Sequence, residues 1–417
     1  MTRTTWCLVG LGVLLLFIVW SFRDYATLWG GRWRSLPLQP ALSSETRAGD
    51  WTMWRGNAQR TGVQAQPGPL PTGQVQWQFV SGAGFISSPI IAGDSLYVGD
   101  TQGRLYRLQR GTGSVIWRLQ KLGPLDSSPA LAGDLLYIGL RDGRLLAIQA
   151  ADGVIRWSVE TGNPIYGSPL VHHGVVYIGS GDGCVYALDA ISGRERWRAC
   201  TEGWIHSSPA LLDEFVYVGS NDGALHFIDR RTGVQRWRYR TSQAIRATPA
   251  IAEGLIFFGG EDGWFRAVEA HTLGGRWTYD WRWMHITLFV WGMSGPPPPL
   301  PGFRWQYRTR APIVASAAVA HDLVYVASQR GTLTALELHT GTPRWSFTAR
   351  QAISASPVVA GDVLYVASYD QTLTALDAHH GTLRWQFTAD GPIHATPVVS
   401  DGHVYVAALD GVVYALQ

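Results

Sequence analysis

The sequence predicts an all-β protein: an eight-bladed β-propeller of four-stranded antiparallel blades, with an N-terminal transmembrane helix. Three observations predict it. Tryptophan recurs every 40 residues, apolar residues alternate with period two inside each repeat, and residues 6–22 form an uncharged apolar run. The composition agrees, because 46% hydrophobic and 16% charged residues exclude a disordered chain.

The N-terminal run is at the short end of what spans a bilayer and slightly long for the apolar part of a secretory signal. No small-x-small cleavage site follows it. We therefore expect residues 6–22 to be an uncleaved membrane anchor after a short flank (1–5), with a cleaved signal as the alternative. Residues 23–50 are predicted to be a linker and residues 51–73 a lead-in segment. Flanking arginines leave the membrane sidedness open, although we expect the propeller to be extracytoplasmic.

The 40-residue repeat defines the blades. Between successive tryptophans, short alternating segments are separated by turn residues every eight to twelve positions, and four short strands per 40 residues is typical of a propeller blade. The tryptophans that mark the repeat are Trp77, Trp117, Trp157, Trp197, Trp237 and Trp277, followed after a gap of 28 residues by Trp305, Trp345 and Trp385.

The two ends of the chain are predicted to meet in one blade. Eight units carry the first three strands, and the last unit ends at Gln417, before its tryptophan-bearing fourth strand. Residues 74–80 form such a strand with no blade before them. Pairing of this strand with residues 392–417 would close the ring and remove its exposed edges. Residues 74–417 are thus expected to form one monomeric ring.

Residues 281–304 interrupt the repeat. Two interpretations stay open: an aromatic loop inserted on the ring, or the remnant of a ninth unit. Because Trp277 keeps the regular spacing, Trp305 is expected to be an extra fourth strand without its three partners.

Several segments resemble the pyrroloquinoline-quinone-type (PQQ-like) propellers. The unit endings ALDAISGRERW (187–197), ALELHTGTPRW (335–345) and ALDAHHGTLRW (375–385) resemble the tryptophan-docking motif of that family, and WTMWRGNAQRTG (51–62) resembles the segment before its first blade. The family includes quinone-dependent alcohol and glucose dehydrogenases, the lipoprotein BamB of the barrel-assembly machinery, and many non-enzymatic repeat proteins. The resemblance therefore implies a fold rather than one activity.

A quinone dehydrogenase of this family would imply PQQ, a calcium site with Glu, Asn and Asp ligands, a catalytic Asp, and often a disulfide between adjacent cysteines. The three cysteines here are not adjacent, and hairpin turns explain the carboxylates at Asp142, Asp182, Asp222, Asp262 and Asp410. We expect no catalytic residue, no cofactor and no metal site. The predicted function is a membrane-tethered scaffold that binds a protein or envelope component, in the BamB-like branch. The alternative is a PQQ-dependent dehydrogenase or a propeller that binds a small ligand.

A binding rim is predicted at the mouth of the central funnel. The residue nine positions after each repeat tryptophan varies freely and should begin the innermost strand, and the turn tips 24 positions after the tryptophan should lie on the same face. The alternative is that these are ordinary solvated funnel residues. The candidates are Asp126, Tyr166, His206, Arg246 and His394, with the tips Arg141, Asn221, Glu261 and Tyr369.

Charge and cysteine placement complete the prediction. Residues 74–417 carry 27 basic and 28 acidic side chains, which argues against nucleic acid as a partner.

Cys184 and Cys200 lie at equal distances from the turn at Ser192 and should be cross-strand neighbours, so a disulfide and two free thiols both stay open. His206 and His394 are four blades apart, so they are not expected to share a metal ion. The pair 379–380 is expected to be exposed loop histidines.

Overall fold

Eight β-sheets follow one another along the chain and make up the ring. The computed structural model describes residues 49–64, 68–271, 286–293, 295 and 300–417. Within these ranges seven sheets have four strands, and the eighth has a fifth strand added to it. All pairings inside the blades are antiparallel, so the prediction of an eight-bladed propeller is confirmed.

Each blade contains an inner, a second, a third and an outer strand. Two strands precede the first complete blade: Val63–Gln64 (β1) and Val75–Val80 (β2). Blades 1 to 4 consist of Ile90–Ala92 (β3), Ser95–Gly99 (β4), Leu105–Gln109 (β5) and Val115–Leu119 (β6); Ala130–Ala132 (β7), Leu135–Gly139 (β8), Arg144–Gln149 (β9) and Ile155–Glu160 (β10); Leu170–His172 (β11), Val175–Gly179 (β12), Cys184–Asp189 (β13) and Glu195–Cys200 (β14); and Ala210–Leu212 (β15), Phe215–Gly219 (β16), Ala224–Asp229 (β17) and Gln235–Arg240 (β18).

Blades 5 to 8 repeat this order. They consist of Ala250–Ala252 (β19), Leu255–Gly259 (β20), Trp264–Glu269 (β21) and Phe303–Arg308 (β22); Ala318–Ala320 (β23), Leu323–Ala327 (β24), Thr332–Glu337 (β25) and Pro343–Thr348 (β26); Val358–Ala360 (β27), Val363–Ala367 (β28), Thr372–Asp377 (β29) and Leu383–Thr388 (β30); and Val398–Ser400 (β31), His403–Ala407 (β32) and Val412–Leu416 (β33). A short helix covers residues 286–290.

The N-terminal strand closes the ring as predicted. Strand β2 is the outer strand of blade 8 and pairs with β33 in the register Val75↔Leu416 to Val80↔Val412. Beyond that pairing, Gln74 and Gln417 exchange two backbone hydrogen bonds of 2.8 and 2.9 Å. Blade 8 is therefore built from β2, which precedes blade 1 in the chain, and from the last three strands, so its sheet has four strands like those of most other blades.

Among the described residues, repeat tryptophans join seven of the eight blades to the blade that follows. Seven indole N–H groups donate to a backbone carbonyl at 2.7–3.2 Å, which satisfies a polar group on a large, mostly buried side chain. The donors and acceptors are Trp77 to Arg110, Trp117 to Ala150, Trp157 to Ala190, Trp197 to Arg230, Trp305 to Leu338, Trp345 to Ala378 and Trp385 to Pro71.

Blade 5 corrects one expectation. Its outer strand is β22, which pairs with β21 so that Trp305 lies opposite Ala267. Trp305 is thus a regular outer-strand tryptophan with all its partners, and the expectation of an extra strand was wrong. The 40-residue spacing pointed to Trp277, which lies outside the described residues, whereas strand pairing selects the strand that follows the turn at Gly302.

No helix among the described residues is long and apolar enough to cross a membrane. The predicted anchor at 6–22 lies outside those residues.

Candidate functional site

A belt of hydroxyl side chains links the inner strands around the channel. It is formed by the residue 11 positions after each repeat tryptophan, which is Ser or Thr in all eight blades. Seven backbone N–H groups of the belt each donate to the hydroxyl of the next blade at 2.8–3.0 Å. The belt residues are Ser88, Ser128, Ser168, Ser208, Thr248, Ser316, Ser356 and Thr396. They were not among the predicted residues, although their spacing was a readable signal.

Residues 49–64, which include the first part of the predicted lead-in segment (51–73), lie inside the ring. Their backbone carbonyls accept hydrogen bonds from the inner strands of successive blades, for example Leu131 N–H to Thr52 at 2.7 Å and Leu211 N–H to Ala58 at 2.8 Å. Strand β1 ends the segment and adds to the inner strand β27 of blade 7 in parallel. We call residues 49–64 the plug. The sequence predicted a separate lead-in but not its place in the channel.

Two arginines hold the plug in place. Arg55 and Arg60 are fully buried, and neither has an ion pair with a described residue. The Arg55 guanidinium donates to the carbonyls of Ser316, Ala317 and Pro357 in blades 6 and 7. The Arg60 guanidinium donates to carbonyls of blades 3 and 4. Burial lowers the pKa of both side chains to about 9, so both remain charged at neutral pH.

Trp54 brings the plug up to the hydroxyl belt. Its indole N–H donates to Thr396 Oγ1 at 3.4 Å, and its ring centre lies 5.8 Å from the guanidinium carbons of both Arg55 and Arg60. Thr396 follows the predicted rim residue His394 by only two positions. The half-buried indole of Trp54 therefore lies at the bottom of the funnel, next to the buried guanidinium groups of Arg55 and Arg60.

The first group of predicted rim residues is in mutual contact. The Arg141 guanidinium lies 3.4 Å from the Asp126 carboxylate and 5.7 Å from the centre of the Tyr166 ring. Tyr166 stacks on His206 with ring centres 4.6 Å apart. Asn221 faces the His206 imidazole from the neighbouring turn tip. These five residues, drawn from three consecutive blades, form one continuous surface.

The remaining four residues form two pairs on the same face. Arg246 forms an ion pair with Glu261 at 3.0 Å. The positive charge of Arg246 also lowers the pKa of His206. The Tyr369 ring lies 5.8 Å from the His394 ring, edge to face. Positive charge on His394 lowers the pKa of the Asp126 carboxyl, which lies on the far side of blade 1. We call all nine residues the funnel rim: Asp126, Arg141, Tyr166, His206, Asn221, Arg246, Glu261, Tyr369 and His394.

The rim is electrically balanced near neutral pH. Burial lowers the pKa of both His206 and His394, which favours their neutral forms. Burial raises the pKa of Asp126, and the charges of Arg141 and His394 oppose that shift. Each of the two arginines faces one carboxylate, so the rim offers no unpaired positive charge to an anionic ligand.

Four buried polar atoms of the rim make no well-formed hydrogen bond to a described residue, although Asn221 interacts with the His206 imidazole and the Ile86 backbone interacts with His394. The four atoms are Asp126 Oδ1, His206 Nδ1, Asn221 Oδ1 and His394 Nδ1. Buried polar atoms in folded proteins are nearly always partnered. A rim with several such atoms is suited to a ligand that brings neutral donors and acceptors.

The rim residues do not provide the calcium ligands that the resemblance implies for dehydrogenases. Calcium takes six to eight oxygen ligands, yet Asp126 and Glu261 lie on different blades and each faces an arginine. Among the described residues, three His, Cys, Asp or Glu donor atoms come within 4.8 Å of one another only at His321, Asp362 and His379, outside the rim. The rim residues therefore do not assemble a calcium site, and no chemical step is assigned to them.

The two cysteines lie directly opposite each other in blade 3. Cys184 on β13 and Cys200 on β14 are cross-strand partners with Cα atoms 3.9 Å apart, and their sulfur atoms are joined in a disulfide. Of the two states that the sequence left open, the structure has the bonded one. Disulfides persist in oxidising compartments such as the periplasm and the cell surface.

The chain matches a family of known proteins over nearly the whole ring. The family model described as "Outer membrane protein assembly factor BamB" matches residues 63–202, 163–242, 181–288, 290–390 and 352–417. No curated protein matches the sequence closely enough to count as a relative.

Solved structures share the fold at low sequence identity. BamB from Moraxella catarrhalis is 20% identical, with a TM-score of 0.66 over 82% of this chain and 97% of that one. The computationally designed Ika8 protein is 15% identical, with a TM-score of 0.69 over 83% and 100%. Quinohemoprotein alcohol dehydrogenase from Comamonas testosteroni is 15% identical, with a TM-score of 0.70 over 90% and 81%. These likenesses show the fold alone, whereas the family match spans all eight blades: the chain belongs to the PQQ-like β-propeller repeat family that includes the outer membrane protein assembly factor BamB.

Proposed function

We propose that this protein is a non-catalytic binding module of the cell envelope that holds a segment of a partner protein at the funnel rim. The single observation that carries the proposal is the state of the rim. Its two arginines are matched by carboxylates, while four of its buried polar atoms make no well-formed hydrogen bond to a described residue. A polypeptide supplies neutral N–H and C=O groups for such atoms, whereas a multiply charged cofactor would need unpaired cations.

The plug supports a shallow site. Because residues 49–64 lie inside the inner strands and Trp54 reaches the belt, the plug occupies the channel beneath the rim, and a ligand would bind from the rim side. On the funnel rim, Tyr166 and Tyr369 offer aromatic surface of the kind that is enriched at the centre of protein interfaces. The site therefore fits a loop or a chain end laid across the rim.

The envelope location is part of the same proposal. The family match is to a protein named as an outer membrane assembly factor, and the Cys184–Cys200 disulfide fits an oxidising compartment. With a membrane anchor at 6–22, the ring would be tethered on the extracytoplasmic side. In this arrangement the rim would act as a scaffold during assembly of envelope proteins.

Site-specific photocrosslinking tests the proposal in native membranes. A photoreactive phenylalanine analogue is placed at Tyr369 on the rim or, as the matched control, at the exposed Ile155 on the outer strand of blade 2. We expect a discrete protein adduct from Tyr369 alone. The double substitution Asp126→Ala and His206→Ala removes two of the side chains that carry these atoms and should reduce the yield about tenfold, which corresponds to one lost charge-assisted hydrogen bond.

Two results would contradict the proposal. Identical adducts from Tyr369 and Ile155, unchanged by the double substitution, would show that the rim is not the binding surface. Saturable binding of PQQ and calcium to the purified protein, with dye reduction by alcohols or sugars, would establish the dehydrogenase alternative instead.

A further inference from the structure

The face of the ring opposite the rim carries a group of histidines that the proposed function does not use. We call this the back face; it contains the turns between inner and second strands and those between third and outer strands. Strands in a blade are antiparallel, so these turns lie at the other end from the rim. His321 occupies such a turn in blade 6, and Asp362 and His379 occupy two such turns in blade 7.

We infer that His321, Asp362 and His379 form a binding site for a late first-row divalent metal ion, with Zn²⁺ as the best match. One donor atom from each residue lies within 4.8 Å of the others. His379 Nε2 is 3.4 Å and His321 Nε2 is 4.0 Å from the same oxygen, Asp362 Oδ1. The two imidazole rings lie 4.7 Å apart, centre to centre.

These separations are close to those of bound ligands. Zinc bonds to histidine nitrogen and carboxylate oxygen are about 2.0–2.2 Å long, so two ligands of a tetrahedral ion are about 3.4 Å apart. The contact from His379 to Asp362 already has this length, and the contact from His321 needs to shorten by roughly half an ångström. All three residues are exposed, and their side chains can make that adjustment by small rotations.

The donor set selects the class of metal. Two neutral imidazoles and one carboxylate suit zinc, nickel or copper, whereas calcium and magnesium prefer oxygen ligands. His321 Nε2 also contacts the carbonyl oxygen of Gly361 at 2.9 Å. Binding through this nitrogen would replace the hydrogen bond with a metal bond and leave the turn in place. Three ligands leave the fourth tetrahedral position open for water or for a group from a partner.

The surroundings supply further histidines. His321 and His379 line a cleft of about 840 Å³, and His339 and His380 line the same cleft. His380 is held by Asp377 at 3.0 Å. The repeat does not require imidazoles here, because the position of His321 is occupied by glycine in blades 1, 2 and 7. Turn formation alone therefore does not require a histidine at this position of the cleft.

Titration with the metal alone tests this inference on the full chain. We expect the purified protein to bind one equivalent of Zn²⁺ by calorimetry, and bound Co²⁺ to show the visible absorption of a four-coordinate site. His321→Ala, His379→Ala and Asp362→Asn should each weaken zinc binding by at least about tenfold, as loss of a ligand requires. Each variant is checked by circular dichroism and thermal melting.

A matched control has the same local chemistry without the second imidazole. His271 is exposed and lies 3.4 Å from one carboxylate, that of Asp213, in the back-face turns. His271→Ala should leave zinc affinity unchanged. The inference is overturned if His321→Ala and His379→Ala bind zinc as tightly as the unmodified protein, or if His271→Ala weakens binding to the same extent. It is also overturned if no zinc binds below about 1 mM. None of these results depends on the rim, which lies on the other face.

Discussion

The rim position can be occupied by different residue types because the residues before and after it in the chain, rather than the rim residue itself, pack in the core. In blade 4, Ile205 is fully buried before the rim residue His206, and Ser207 is buried after it. The same order of a buried apolar residue, a free position and a small residue recurs in every blade. A substitution at the free position therefore changes what the funnel presents without disturbing the core, and this is why the sequence could locate the rim residues but not their partners.

The first prediction concerns the buried imidazole of His394. Burial lowers its pKa in the folded protein, so as the pH falls below about 6.5 the unfolded chain takes up the proton first. Stability is then fully present above that pH and declines toward pH 5. His394→Gln removes this proton uptake. Between pH 7.5 and pH 5, we expect the melting temperature of the variant to fall less than that of the unmodified protein.

Tyr369→Phe is the control for this experiment. It alters the ring beside His394, but burial raises the pKa of the Tyr369 hydroxyl, so no proton is exchanged there between pH 7.5 and pH 5. This variant should keep the pH dependence of the unmodified protein. An equal loss of melting temperature in all three proteins would show that His394 does not contribute to acid sensitivity.

At the scale of the strands, periodicity decided what the sequence could predict. The tryptophan spacing predicted eight blades, and the strand at 74–80 without a blade predicted the closure. The same rule failed once, because Trp277 keeps the 40-residue spacing while Trp305 has the strand partners. The plug was beyond such reasoning, since Arg55 and Arg60 bind backbone carbonyls of four blades and no repeat records those contacts.

The second prediction compares two outer-strand tryptophans. Trp305 and Trp237 are both buried, but the Trp305 indole N–H donates to Leu338 O at 2.8 Å, whereas the Trp237 indole N–H has no partner among the described residues. Phenylalanine at either position removes a similar ring area. Only Trp305→Phe also leaves a buried carbonyl unpaired, so it should cost about 1–2 kcal/mol more free energy of unfolding. Denaturant unfolding of both variants measures the difference, and an equal or larger cost at Trp237 would contradict the role of the hydrogen bond.

At the scale of the whole ring, two segments from before the first complete blade do different work. Strand β2 supplies the outer strand of blade 8, so it protects the edge of β33. The plug instead hydrogen-bonds the inner strands of several blades from within the channel. Loss of the first would expose an unpaired strand edge, which is a template for aggregation. Loss of the second would expose inner-strand N–H groups, which water can satisfy at a smaller cost.

The last prediction separates these contributions with chains that begin at Gly49, Gly68 or Ser81. The chain from Gly49 keeps both segments and should be monomeric. The chain from Gly68 keeps β2 but lacks the plug; we expect a monomer with a lower melting temperature, because the carbonyls bound by Arg55 and Arg60 lose their donors. The chain from Ser81 lacks both and should form oligomers or aggregates on size-exclusion chromatography, since β33 is left as an open edge. If the chain from Ser81 were monomeric and melted like the chain from Gly49, closure by β2 would not stabilise the ring.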